Sequence, residues 1–258
     1  MRGPLTWLGR WLADYLSQER PRGEQAGYVD PALLAATLRP CDVLLVEGNT
    51  RISVAIKYLT QSTWSHAALY VGGADRVFVE ADLRGGVRAV PLREYASMHT
   101  RICRPAGLTA EDAARVIAYA ASRVGHRYDL KNVIDLARYL LPTPPVPARL
   151  RRRMIAFGSG DPTRAICSTL IAQAFQSVHF PILPEVTRVK TDDPACDTCY
   201  EDILHIRRHS LFAPRDFDAS PYFEVVKPTI EAGFDYRALR WAPPDPLFDS
   251  LEVHALRR

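Results

Sequence analysis

The sequence predicts an α+β fold, and two observations carry that prediction. Short apolar segments between residues 42 and 105 read as successive strands, and after residue 109 the pattern changes to helical spacing. The order is helix, strands, helices and a mixed tail, which suits α+β rather than a regular βα alternation.

Each element has its own signal. DVLLVE at 42–47 is a strand, and residues 51–60 can form a helix. HAALYV at 66–71 and RVFVEA at 76–81 are separated by Gly72, Gly73, Ala74 and Asp75, a hairpin signal. GVRAVPL at 86–92 and HTRICRP near 99–105 add two further strands. Thr109 ahead of AEDAARVIAYAASRV is a helix N-cap with acids in the first turn, and Gly125 follows the last turn. Residues 128–141 read as helical until PTPPVP, and ICSTLIAQAFQSV at 166–178 is an apolar helix. After Pro181 and Pro184 the pattern is irregular, with YFEVVKP at 222–228 as a late strand.

Composition bounds the rest. The 258 residues carry 33 Lys plus Arg against 29 Asp plus Glu, a net charge of +4, with 47% hydrophobic and 24% charged residues. These values exclude wholesale disorder, collagen and coiled coil. The length permits one large domain or two small ones, each with a real core. No window reaches the roughly 18 apolar residues of a membrane span. A charge of +4 is too small to argue for nucleic acid. Five widely spread cysteines suggest a reducing compartment and mostly free thiols, hence a cytoplasmic location.

Residues 4–16 (PLTWLGRWLADYL) have helical apolar spacing, but Arg10 and Asp14 interrupt the run and no cleavage site follows. The segment therefore reads as an amphipathic helix rather than a signal peptide. Packing on the body of the domain is the favoured role, and a peripheral membrane or partner contact is the alternative. Residues 18–28 read as a linker.

Three polar residues interrupt apolar elements: His66, Glu80 and Cys167. A hairpin turn centred on Gly73 sets His66 directly opposite Glu80, about 5 Å apart at Cβ. A one-residue change in the turn would put them on opposite faces. Cys167 opens a helix, where the partial positive charge favours a thiolate and free backbone N–H groups can bind an oxyanion. An imidazole could take the thiol proton and a carboxylate could orient the imidazole. Each residue also has a structural reading, as a buried small hydrophobe, a satisfied strand histidine and a solvated strand carboxylate.

At these residues the chain resembles a known family. PCDVLLVEGN at 40–49, TWSHAALYVGG at 63–73, VFVEA at 77–81, GHRYDL at 125–130 and AICSTLIAQAF at 165–175 look like a circularly permuted papain-like enzyme. The match is with the YiiX/YebB-like branch of the NlpC-type superfamily, with lecithin:retinol acyltransferase-like proteins as more distant relatives. It covers roughly residues 38–185.

The resemblance implies a small antiparallel sheet packed against helices. It implies Cys167 as nucleophile, His66 as base and Glu80 as the third polar residue. It implies Tyr128 and Ser168 near the oxyanion and substrate, with a helix-start aromatic packed on the sheet as the alternative for Tyr128. Cys41 departs from the family, which usually has Gly before the Asp; a buried Cys at a strand start is the favoured reading, and a second thiol that alters packing or redox behaviour is the alternative.

The resemblance also divides the chain into residues 1–28 (helix and linker), 29–190 (catalytic domain) and 191–258 (an extension packed on the same domain). The implied activity is a cysteine-dependent hydrolase or acyltransferase acting on an amide or ester, with a peptide or lipid acyl substrate and no metal or organic cofactor.

Other clusters are weaker. Cys196, Cys199, His205 and His209 could bind zinc, with the two histidines on one helical face, but the Cys-to-His gap is too short for a zinc finger. Arg149, Arg151, Arg152 and Arg153 could attract an anionic surface, although a basic run is more often a solvated face. His126 and His179 are reserve bases for Cys167. Two other functions stay open: a non-catalytic binding module on the same fold, and a zinc-stabilised interaction protein.

Overall fold

The structure is a computed structural model that describes residues 18, 29–73, 75, 77–82, 85–126, 166–190 and 200–240. The expected N-terminal helix, Tyr128, the helix at 128–141, the basic run at 149–153, and Cys196 and Cys199 lie outside these residues.

Six strands form one antiparallel sheet in the order β4-β3-β2-β1-β5-β8. They are β1 (Val43–Val46), β2 (His66–Gly72), β3 (Val77–Asp82), β4 (Gly86–Pro91), β5 (Thr100–Pro105) and β8 (Phe223–Val226). The sixth strand therefore comes from beyond residue 190. The helices are α1 (Pro31–Thr37), α2 (Arg51–Thr60), α3 (Ala110–Ser122), α4 (Ile166–Gln176), α5 (Pro214–Asp218) and α6 (Pro228–Glu231). A separate two-stranded sheet holds β6 (Glu185–Lys190) and β7 (Tyr200–His205).

Both faces of the central strands are covered, which is why β1 and β2 are apolar without alternation. Val43, Leu45, Ala67 and Leu69 face α3 and α4, through Val116, Ala120, Ile171 and Phe175. Leu44, Val46, Ala68 and Tyr70 face the other way, against Leu34, Leu38 and Tyr95. Thr109 caps α3 as its sequence predicts, its hydroxyl accepting the Asp112 N–H at 3.1 Å. Asp30 caps α1 in the same way at 2.8 Å, with Pro31 at the first helical position.

A buried ion pair fixes the start of β1. Arg104 donates to both oxygens of the fully buried Asp42 at 2.9 and 2.8 Å, and also to the Thr37 carbonyl at 2.8 Å. Burial pushes the Asp42 carboxyl up, against the lowering effect of its hydrogen bonds to Arg104 and Arg39. Beside it, Cys41 adopts φ 72°, a conformation that suits glycine. The Cys41 thiol is buried, donates to the Ala113 carbonyl at 3.4 Å and is pushed up to about 12, chiefly by burial. It packs as a small hydrophobe.

At the opposite end of β1 a polar cluster ties β1, α2, β5 and α5 together. Glu47 accepts from Lys57 at 2.9 Å and bonds His99 at 3.0 Å. The His99 ring lies 5.0 Å from that of Trp64, and Asp218 accepts from Trp64 at 3.1 Å and from Arg101 at 2.8 Å.

Candidate active site

The hairpin register differs from the sequence expectation. At its tip Gly72 pairs with Val77, but below it the rungs are Tyr70↔Phe78 and Leu69↔Val79, so β2 carries one extra residue. Such a bulge changes which residues share a face. The Gly72↔Val77 register, carried straight down, would set Glu80 against Leu69 and separate it from His66 across the sheet. The extra residue restores the shared face. Continued one rung, the observed register puts Glu80 beside Ala68, so His66 and Glu80 are diagonal neighbours rather than directly opposed. The offset from the expected pairing is two residues, and a shift of two leaves a side chain on the same face.

His66 Nε2 and Glu80 Oε2 form a short hydrogen bond. Two residues not singled out in the sequence hold Glu80. Tyr95 donates its hydroxyl to Glu80 Oε2 at 2.5 Å. Arg88 donates to Oε1 through Nε at 2.8 Å and sits directly across from Glu80 in the β3–β4 ladder. Arg88 was legible: the segments VFVEAD at 77–82 and GVRAVP at 86–91, paired as a hairpin, set it opposite Glu80. Tyr95 follows β4 in a loop and gives no such signal. The Glu80 side chain is only 4% exposed. Burial raises its carboxyl, but the bonds from His66 and Tyr95 and the charge of Arg88 outweigh burial and bring it down to about 2.

Cys167 lies in the first turn of α4 and is buried. The β2–β3 ladder ends at Leu69↔Val79, so Ala67 lies beyond the last rung. Its backbone N–H donates to the Cys167 sulfur instead. The His66 imidazole bonds the same sulfur, and with Nε2 on Glu80 the nitrogen left for it is Nδ1. Burial opposes the charged forms of both groups, and each is stabilised by the other. Cys167 is held below its ordinary thiol value by His66, Ala67 and Ser168. His66 is held well above its ordinary value by Cys167 and Glu80. Ser168 is buried, with its hydroxyl 4.0 Å from the sulfur.

The structure thus brings Cys167, His66, Glu80 and Ser168 together. The reserve bases lie elsewhere. His179 lies past the far end of α4, which from Cys167 to Gln176 already spans about 14 Å. The His126 carbonyl accepts from Val87 at 2.9 Å, tying the end of α3 to β4. His205 ends strand β7, so it does not share a helical face with His209. Among the described residues no group of three or more His, Cys, Asp or Glu is placed to hold a metal ion, and no helix is long and apolar enough to cross a membrane.

Residues 37–139 match the family described as permuted papain-like amidase enzyme, YaeF/YiiX, C92 family. The matched span includes His66, Glu80, Arg88 and Tyr95 and stops before Cys167. Among solved structures, the crystal structure of the metalloprotein YiiX from Escherichia coli O157:H7 is similar, with TM-score 0.45 and 17% sequence identity, covering 73% of this chain and 96% of that one. No curated protein matches the chain. Over its strand-rich core the chain is therefore similar to the YiiX-like permuted papain-like amidases, a family of cysteine-type hydrolases.

Proposed function

We propose that this chain cleaves an amide through a thioester on Cys167, with His66 as base and acid and Glu80 as the group that orients His66. The observation that carries this reading is the single imidazole shared between a thiol at a helix start and a buried carboxylate. The thiol proton passes to His66 and the thiolate attacks the carbonyl carbon, forming a C–S bond. N–H groups in the first turn of α4 face the resulting oxyanion. His66 then protonates the leaving amine as the C–N bond breaks, leaving the thioester. A water molecule gives a proton to His66 and adds to the thioester carbon. Loss of the sulfur releases the acid and restores the thiol.

Glu80 stays ionised throughout, because its pKa of about 2 lies far below working pH. Its role is to fix the tautomer and rotation of His66 and to stabilise the imidazolium. An ester would follow the same path with an alcohol as leaving group, and an acyl acceptor in place of water would make the protein a transferase. The family description favours the amide.

The test is the alkylation rate of Cys167 by iodoacetamide against pH, in the parent and in His66→Ala, beside turnover of amide and ester substrates. Reaction well below the ordinary thiol range of about 8.5, lost with His66→Ala and accompanied by amide turnover, supports the reading. A Cys167 that titrates as a free thiol in both proteins overturns it.

A further inference from the structure

Helix α2 has its polarity reversed. A surface helix normally turns its apolar stripe to the core and its polar side to water. In α2 the polar residues Ser53, Lys57 and Thr60 recur at helical spacing and face the body of the protein. Ser53 and Thr60 are buried, and Lys57 donates to Glu47 at the end of β1 at 2.9 Å. Ile52, Val54, Ala55, Tyr58 and Leu59 form one stripe on the other side, with Val54 37% and Tyr58 50% exposed. Among the described residues, no α2 side chain belongs to either core cluster.

One segment of the chain arrives where this stripe begins. The Gln18 carbonyl accepts from the backbone N–H of Arg51, the first residue of α2, at 3.1 Å. Just upstream, residues 4–16 carry a matching stripe of Leu5, Leu8, Leu12, Tyr15 and Leu16, with Trp11 at its edge and Arg10 and Asp14 on the opposite side. From Gln18 to Leu16 the chain can span at most about 7 Å. That tether keeps Leu16 within reach of the start of α2, since packed helix axes lie about 8–10 Å apart. A helix over 4–16 is about 20 Å long and α2 about 15 Å, so the segment, laid back along α2, covers the whole stripe. So short a tether also sets an effective concentration on the order of millimolar or above, which favours this segment over a second copy or a separate partner.

We propose that residues 4–16 form a helix that packs antiparallel on the outer face of α2. The tie between Gln18 and Arg51 sets the register: Leu16 meets Ile52, Leu12 meets Ala55 and Leu8 meets Leu59. The small Ala55 at the centre lets the two axes approach. Residues 61–65 alone separate α2 from His66, so the same contact braces the entry to β2.

Cysteine pairs in the full chain test the register. The background is Cys167→Ser/Cys196→Ser/Cys199→Ser, which leaves only the buried Cys41 and Cys103. Leu12→Cys/Ala55→Cys should close an internal disulfide in the monomer under mild oxidation, and Asp14→Cys/Ala55→Cys should not. Hydrogen exchange gives a second readout. The amides of residues 8–16 should be protected in the wild type and lose that protection in Val54→Asp, while the amides of β1 and β2 keep theirs. A disulfide-linked dimer from the 12/55 pair overturns the proposal in favour of a second copy. Failure of that pair to link, with capture of the wild type by phosphatidylglycerol vesicles, overturns it in favour of a lipid surface. Equal linkage at 14 and 12, or free exchange at residues 8–16 in the wild type, overturns it outright.

Discussion

Tyr95 and His66 share one acceptor: both bond Oε2 of Glu80, while Arg88 takes Oε1. The carboxylate that orients the imidazole is therefore itself held from two other directions, by a loop residue after β4 and by a residue on β4.

Tyr95→Phe removes one charge-assisted bond and leaves the other two. The expected cost is about 1.5–3 kcal/mol of stability, read from urea unfolding. Without that donor Glu80 should titrate higher, and the acid limb of Cys167 alkylation should move up with it.

Glu80 gives a signed pH prediction. Its folded value of about 2 lies below its unfolded value of 4.5. Its contribution is complete above 4.5 and is lost as pH falls through the folded value, and it amounts to about 3 kcal/mol. Glu80→Gln should unfold more easily at neutral pH, and the gap to wild type should narrow as the medium is acidified. A gap that stays constant would show that Glu80 is not an ionised, paired group. His66 has the opposite sign: its raised value adds stability below its ordinary value of 6.5, which is lost as pH rises through the folded value.

Arg88 is 46% exposed, so its ion pair is screened and should add less than about 1 kcal/mol to stability. Its effect belongs instead to the pH profile. Arg88→Met should leave melting nearly unchanged while Glu80 titrates higher and the acid limb of kcat/KM moves up. Arg88→Lys should restore only part of the shift, because an ammonium cannot present two fixed N–H groups to Oε1 as the Arg88 Nε and Nη2 do, at 2.8 and 2.6 Å.

Asp42 is far from the chemistry yet should be the costliest charge to remove. Asp42→Ala leaves Arg104, 12% exposed, without its carboxylate, at an expected cost of about 3–5 kcal/mol. Replacing both, as Asp42→Leu/Arg104→Met, should cost less than the single change. Thermal unfolding of the three proteins checks the ordering.

Native-state alkylation should separate the thiols of the described region. Cys167 reacts, whereas burial pushes Cys41 up to about 12 and raises Cys103 as well, so both stay unmodified until unfolding. Peptide mass spectrometry before and after adding denaturant reads the pattern.

Much of the main sheet was legible because its strands carry apolar runs and turn signals, as at HAALYV and RVFVEA. Helix α3 was legible from Thr109, and the pairing of His66 with Glu80 from strand parity. The β6–β7 hairpin was not, because neither strand buries a face and EVTRVK and YEDILH show no pattern that burial would impose. Asp30 ahead of Pro31 is a helix-start signal present in the sequence itself. The hold of Tyr95 on Glu80 depends on how a loop returns to the sheet, and no local pattern encodes that. The register of β2 on β3 departs from a turn centred on Gly73 because the closing rung is Gly72↔Val77, and the extra residue between Tyr70 and Gly72 takes back only one position of that difference.

That extra residue makes loop length a heritable constraint. Hairpin tips usually accept insertions and deletions freely, since they lie at the surface and touch little. Here a lineage that gained or lost one residue near Gly72 would keep its core composition and its Cys167, yet turn His66 away from Glu80. Among descendants of this fold, the stretch from Tyr70 to Gly72 should drift in sequence but not in length, unless a second change of one residue lower in the strand restores the count.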